Sequence, residues 1–135
     1  MLKPTLAVLG ILAAPATLYV ALGGGDNSVS SSGEASFVIP DFSAQAYDGK
    51  EYFASACGRC HGVYGEGTDH GPTLVHVIYD TRNFSDEQIR EAVRHGAMAR
   101  NWPFGDMPPV KGLTTGQLDM AIWFLREVQA ANKID

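Results

Sequence analysis

Cysteine is nearly absent: the 135 residues contain two, Cys57 and Cys60, three positions apart. No second cysteine pair and no His-x3-5-His follows them, so a structural zinc site, which wants four tetrahedral ligands, is short of donors. No βαβ pattern surrounds the pair, and a thioredoxin-like dithiol needs that setting to lower its thiol pKa. A disulfide closing so short a loop would remove little entropy from the unfolded chain. Lysine is scarce too, with only Lys50, Lys111 and Lys133 beyond the N-terminal region. From Gly24 onward nine Lys and Arg face fifteen Asp and Glu, a net charge of −6 with histidine neutral. A chain this acidic does not suit nucleic acid or anionic lipid headgroups. There is no P-loop, and Gly62, Gly65 and Gly67 lie outside any βαβ unit, so they are not a dinucleotide fingerprint. No stretch alternates apolar and polar residues as a half-buried strand would.

What stands at the cysteines is CGRCHG, residues 57–62, with His61 directly after Cys60. Two Cys and four His scattered at random over this length give C-x-x-C-H roughly once in 2000 sequences. The chemistry that uses all three residues is attachment of a c-type haem. In it the sulfurs of Cys57 and Cys60 add across the vinyl groups, and the His61 imidazole becomes an axial iron ligand.

Residues 5–22 (TLAVLGILAAPATLYVAL) carry no charge, and 18 residues of helix span roughly 27 Å, close to a bilayer's hydrocarbon core. Lys3 precedes this run and Asp26 is the first charge after it, which orients the remainder outward across the membrane. Residues 1–23 are therefore expected to be a retained signal anchor in the lipid bilayer. A cleaved signal peptide is the alternative, since Ala14-Pro15-Ala16 and Ala21-Leu22-Gly23 offer small residues at suitable offsets. No cysteine follows to take a lipid anchor. Residues 24–46 begin GGGDNSVSSSGEAS, the composition of a flexible linker with an r.m.s. reach of roughly 27 Å. Within it residues 37–42 (FVIPDF) form an apolar strap, read as lying on the domain's own surface or as a docking segment.

Residues 47–135 read as all-helical. Asp48 is a candidate cap for a helix over 49–56 that delivers Cys57. Ser85 and Gln88 form a capping box with Phe84 and Ile89 as staple, and Thr114 and Gln117 another with Leu113 and Leu118. In the last helix Leu118, Ala121, Ile122, Leu125 and Val128 fall on one stripe, and the helix should reach about Ala131. Residues 97–112 contain Pro103, Pro108 and Pro109 and so form a loop. Three short helices make a marginal core, which an apolar haem would fill.

Over residues 48–131 the ordered set resembles the class I cytochrome c family, of the membrane-anchored bacterial monohaem type. The resemblance implies an all-α cytochrome c-like domain wrapped around one covalent haem c, after a single N-terminal transmembrane helix and a linker. Cys57 and Cys60 match the thioether positions and His61 the proximal ligand. Pro72, in Gly71-Pro72-Thr73-Leu74, matches the residue whose carbonyl accepts the histidine Nδ1 proton. Gly49 and Phe53 match the glycine and aromatic of the first helix, and Phe124 the aromatic they pack against. Met107, in Gly105-Asp106-Met107-Pro108-Pro109, matches the second axial ligand. Met98 is its competitor and is expected to pack as an ordinary apolar residue, while His70, His76 and His95 are expected to be solvated.

The implied role is electron transfer without catalysis. A tethered domain on the periplasmic side of a bacterial inner membrane would carry single electrons between membrane-bound redox complexes. A quinol:cytochrome c oxidoreductase of the bc1 type would be the donor, and a terminal oxidase or photosynthetic reaction centre the acceptor. The alternative is a fixed haem subunit of one respiratory or dehydrogenase complex, with the 37–42 strap as its interface. A gas sensor or peroxidase would need an open sixth position, against which the Pro-rich methionine loop argues. Mitochondrial members have a lysine-rich face that is missing here; Arg59, Arg82, Arg90, Arg94 and Arg100 are the candidates for a local positive patch.

Overall fold

A computed structural model of the chain describes residues 36–134. The expected anchor over 5–22, and the linker up to residue 35, lie outside the described residues. No helix among those described is long and apolar enough to cross a membrane. The fold is helical: α1 spans Ala44–Ala56, α2 Gly58–His61, α3 Asp86–His95 and α4 Thr115–Ala131, with a 3-10 turn at Val77–Tyr79. Thr68–Gly71 and Ala97–Met107 make two isolated bridges, and no strand occurs among the described residues.

Helix α1 begins earlier than the Asp48 cap expected from sequence. Ser43 is its cap, its Oγ accepting from the Ala46 amide at 3.2 Å. The deciding partner is distant in sequence: the Ser43 N–H and Oγ–H both donate to the Glu127 carboxylate, at 3.0 and 2.6 Å. Burial raises the Glu127 pKa, but these bonds and one from Trp123 outweigh it and hold the group below its ordinary value. Residues 44–46 therefore belong to α1, not to the linker. Both expected capping boxes are formed, Ser85 with Gln88 and Thr114 with Gln117.

The strap lies on the domain. The Asn132 side chain grips Val38 at both ends, accepting from its N–H and donating to its C=O, each at 2.8 Å. Phe42 packs on Phe124 with ring centroids 5.0 Å apart.

The core forms where α1 crosses α4. Ala46, Phe53, Ala121, Phe124, Leu125 and Val128 are buried together there. Phe53 and Phe124 meet at 5.3 Å with rings tilted by 52°, a geometry worth about 1 kcal/mol beyond the area buried. Gly49 allows the crossing, because a Cβ at this position would run into the Met120 carbonyl and come within 3.1 Å of Phe124 Cβ. A second cluster of Val93, Leu118 and Ile122 joins α3 to α4.

Polar bonds close the remaining loops. Asp80, 2% exposed, accepts from the Arg82 backbone N–H at 2.8 Å and from Arg82 Nε at 2.9 Å. Arg126 reaches from α4 to the Tyr79 carbonyl (2.7 Å), the Phe84 carbonyl and Asp86 (2.8 Å).

Gly49→Ala should gain about 1 kcal/mol of helix propensity, yet the obstructing atom is α4 backbone and cannot rotate away. Overpacking wins, and a net loss of about 2 kcal/mol is expected in chemical denaturation of the haem-loaded protein; an unchanged midpoint would mean the helices separate freely. Asp80 gives a pH dependence. Hydrogen bonds from Arg82 lower its pKa from 3.8 to about 2, so its contribution is complete above pH 3.8 and is lost as pH falls through about 2. Asp80→Asn should flatten the stability curve between those values, which acid titration followed by circular dichroism would detect.

Candidate functional site

The motif residues are placed by the end of α1. The Cys57 N–H closes that helix on Phe53 O at 2.8 Å. The chain then turns directly into α2, so Cys60 and His61 follow on the next turn, with the His61 amide donating to Cys57 O at 2.9 Å. His61 is buried, and its Nδ1 lies 2.8 Å from the Pro72 carbonyl. A carbonyl can only accept, so Nδ1 carries the proton and Nε2 keeps its lone pair free for a metal. Burial lowers the His61 pKa, opposed by the Pro72 bond, and this favours the neutral ring that ligation needs.

Pro72 is brought there by close backbone contact. A Cβ on Gly71 would sit 2.8 Å from Cys60 O, so only glycine lets the two segments touch. Thr68 fastens the approach, its Oγ1–H donating to Cys60 O at 2.6 Å and its N–H to Gly71 O at 3.0 Å.

Met107 reaches the same cavity from a different segment. Its backbone pairs with Ala97 in both directions, at 2.8 and 3.0 Å, and its side chain packs on the cluster of Val93, Leu118 and Ile122. Gly96, with φ of +81°, makes the tight turn out of α3 that this pairing requires; a Cβ there would meet Met107 O. Met98 does not pack as expected from its apolar character. It is 71% exposed, because the Ala97–Met107 pairing turns the chain outward at the next residue.

Between these groups lies a cavity of about 540 Å³. Cys57, Cys60, His61, Pro72 and Met107 all line it, with Phe53, Leu74, Ile89, Val93, Leu118 and Leu125 supplying apolar wall. No disulfide joins the two cysteines, and burial, helped by Cys60, pushes the Cys57 thiol up to about 11. A thiol that resists ionisation is a poor redox nucleophile, which argues against that role for Cys57. Among the described residues no three His, Cys, Asp or Glu side chains gather as a metal site. Of the other histidines, His70 is exposed but also lines the cavity, His76 caps the 3-10 turn and lies edge-on to Trp102, and His95 pairs with Glu91.

The Cytochrome c family model matches residues 46–129. The chain belongs to the cytochrome c family. No curated protein and no solved structure matches it. Members of this family hold covalent haem c, and the residues present fit that group: an apolar cavity carries two thiols on one turn beside an imidazole whose tautomer is fixed. Cys57 and Cys60 would be the attachment points, and His61 would bind through Nε2.

Sequence reasoning missed the polar wall of this cytochrome's cavity. Gln129 lines the cavity at 1% exposure, donating to Leu74 O and accepting from Arg126, both at 2.7 Å. Trp102 Nε1–H donates to Tyr79 Oη at 3.1 Å on the same wall. Gln129 has no local signal for this position, since the Leu74 carbonyl that it reaches lies 55 residues away.

Unfolded haem-loaded protein should show neither thiol in a thiol titration. Acid–acetone should extract haem only after Cys57→Ala and Cys60→Ala are combined. Two free thiols in the coloured protein would mean the haem is not covalently held.

Proposed function

We propose that this cytochrome c is a membrane-tethered monohaem carrier that passes single electrons between membrane-bound redox complexes. Membership of the cytochrome c family implies electron transfer rather than catalysis. Bound haem supplies a one-electron couple between Fe(III) and Fe(II). The observation that carries the reading is the arrangement of His61 and Met107 on the walls of one apolar cavity. In this reading His61 and Met107 would both hold the iron, which would leave a substrate no site on it. The Met107 thioether, a weak neutral donor, favours the reduced state, and proline after it pre-orders the backbone that presents it.

The tether rests on the uncharged run 5–22. Residues 36–46 lie on or in the domain, which leaves residues 23–35 as spacer. A Gly/Ser-rich spacer of that length has an r.m.s. reach of about 20 Å. The partners we propose are a bc1-type quinol:cytochrome c oxidoreductase and a terminal oxidase or photosynthetic reaction centre, met on the periplasmic face of a bacterial inner membrane. A fixed subunit of one complex is the second reading, and the exposure of Phe37, Val38 and Ile39 on the strap favours it.

A CO difference spectrum of the reduced protein tests the site. No CO-induced change is expected for the wild type or Met98→Ala, and full CO binding for Met107→Ala. Rapid CO binding by the wild type would instead mean an open sixth position and a sensor or enzyme. For the tether, alkaline washing of membranes that contain the full chain should leave the haem in the pellet; its release into the wash would remove the anchor from the proposal.

A further inference from the structure

Arg126 stands one residue behind the wall of the haem cavity. From α4 it donates through Nη1 to the Tyr79 carbonyl and to Gln129 Oε1, each at 2.7 Å, through Nη2 to the Phe84 carbonyl, and through Nε to Asp86 at 2.8 Å. Three of these four partners, Tyr79, Phe84 and Gln129, line the cavity. Gln129 in turn donates to the carbonyl of Leu74, which lines the cavity as well. A fixed charge thus leads through a buried amide to a peptide group, and each polarises the next where water screens little. Arg90 and Arg94 stand differently. They pair with Glu87, Glu91 and Asp119, and none of those acids lines the cavity.

Two ion pairs lie in this region with opposite orientation. In Arg126–Asp86 the cation is the inner member, its side chain 15% exposed against 49% for the carboxylate. In Arg82–Asp80 the anion is the inner member, 3% exposed against 77%. Water screens the outer members more strongly, so Arg126 and Asp80 decide the field inside, and Asp80 is close enough to feel the Arg126 charge. Only the cation is coupled to the wall: the printed bonds to the Asp80 carboxylate come from Arg82, which does not line the cavity. Without Arg126 the buried charge left here would be negative. Arg100, Asp106 and His70 line the cavity from exposed positions, where the two formal charges have opposite sign.

We propose that Arg126 sets the balance between Fe(II) and Fe(III) in the bound haem, acting through Gln129. A positive charge behind the wall opposes the extra positive charge of Fe(III) and so favours the reduced form. Gln129 is the residue on the cavity, and Arg126 is a positioning residue that fixes its amide and supplies the charge. The inference rests on the electron-carrier reading and gives that carrier a residue that tunes its potential. It needs neither the tether nor a particular sixth ligand.

Spectroelectrochemical titration of the full haem-loaded chain tests it. Arg126→Gln is expected to lower the ratio of Fe(II) to Fe(III) at a fixed applied potential by about three- to tenfold, a shift of about 30 to 60 mV for one electron. Arg126→Lys keeps the charge but not the fork, and should stay near the wild-type potential while losing stability in denaturant. Arg90→Gln removes an equal charge from a pair with no bond to the wall, and should change the ratio by less than about twofold. Lys and Gln variants that fall together would mean a structural role, and equal shifts for Arg126→Gln and Arg90→Gln would mean net charge alone; either overturns the proposal. Should Arg126→Gln fail to hold haem, Asp86→Asn decides. It keeps an acceptor for Nε and removes the opposing charge, so the ratio should rise, and by more than in Asp119→Asn, whose carboxylate is comparably exposed at 46% but faces Arg90. A fall, or equal rises, would overturn the proposal as well. The potentials are read whether or not the wild type binds CO, so failure of the carrier reading and failure of this one are separate results.

Discussion

The close crossing of α1 over α4 at Gly49 is the constraint on which the remaining structure depends. With no Cβ at that position, α1 can rest against the Met120 backbone and Phe124, and this sets both the depth and the direction at which α1 ends. Cys57 is its last cap, so the crossing decides where the thiols and His61 emerge. The partner helix is equally committed. Phe124 fills the crossing, touched by Phe42, Phe53 and Tyr64. Leu118, Leu125 and Gln129, on the same helix, become cavity wall. One missing methyl group thus links the helix that carries the attachment motif to the helix that encloses the cofactor.

Around that crossing the backbone is held by side chains that look unremarkable in isolation. Arg126 reads as part of a solvated helix face, but it supplies hydrogen bonds to two carbonyls, a carboxylate and Gln129. Those carbonyls stand at the end of the 3-10 turn and just before α3, so a single charged donor takes the place of a secondary-structure ladder. The Asn132 grip on Val38 works in the same way for the strap.

Local rules were readable wherever both partners lie within one turn. The two capping boxes, the α4 stripe and the Cys-x-x-Cys-His turn follow from spacings of three to five residues, and the structure contains each of them. The Gly71-Pro72 segment was readable through family resemblance, and its physical basis appears only in the contact of Gly71 with Cys60 O. The start of α1 was misread because Asp48 and Ser43 are both competent caps. Glu127, 84 residues away, chooses between them. Met98 was misread because its apolar character predicts burial, while the Ala97–Met107 backbone pair decides which way it points. Gln129 and Arg126 were invisible for the same reason: their roles are defined by the Leu74, Tyr79 and Phe84 carbonyls, which only the tertiary fold assembles.

Charge closes the connection between structure and the proposed role. Three of the five arginines that could make a positive patch, Arg82, Arg90 and Arg94, stand beside carboxylates. Arg90 pairs with Asp119 and Glu87, and Arg94 lies near Glu87 and Glu91. Arg82 holds Asp80. Pairs of this kind are worth little in stability, but each cancels a positive charge that could have steered a partner over distance.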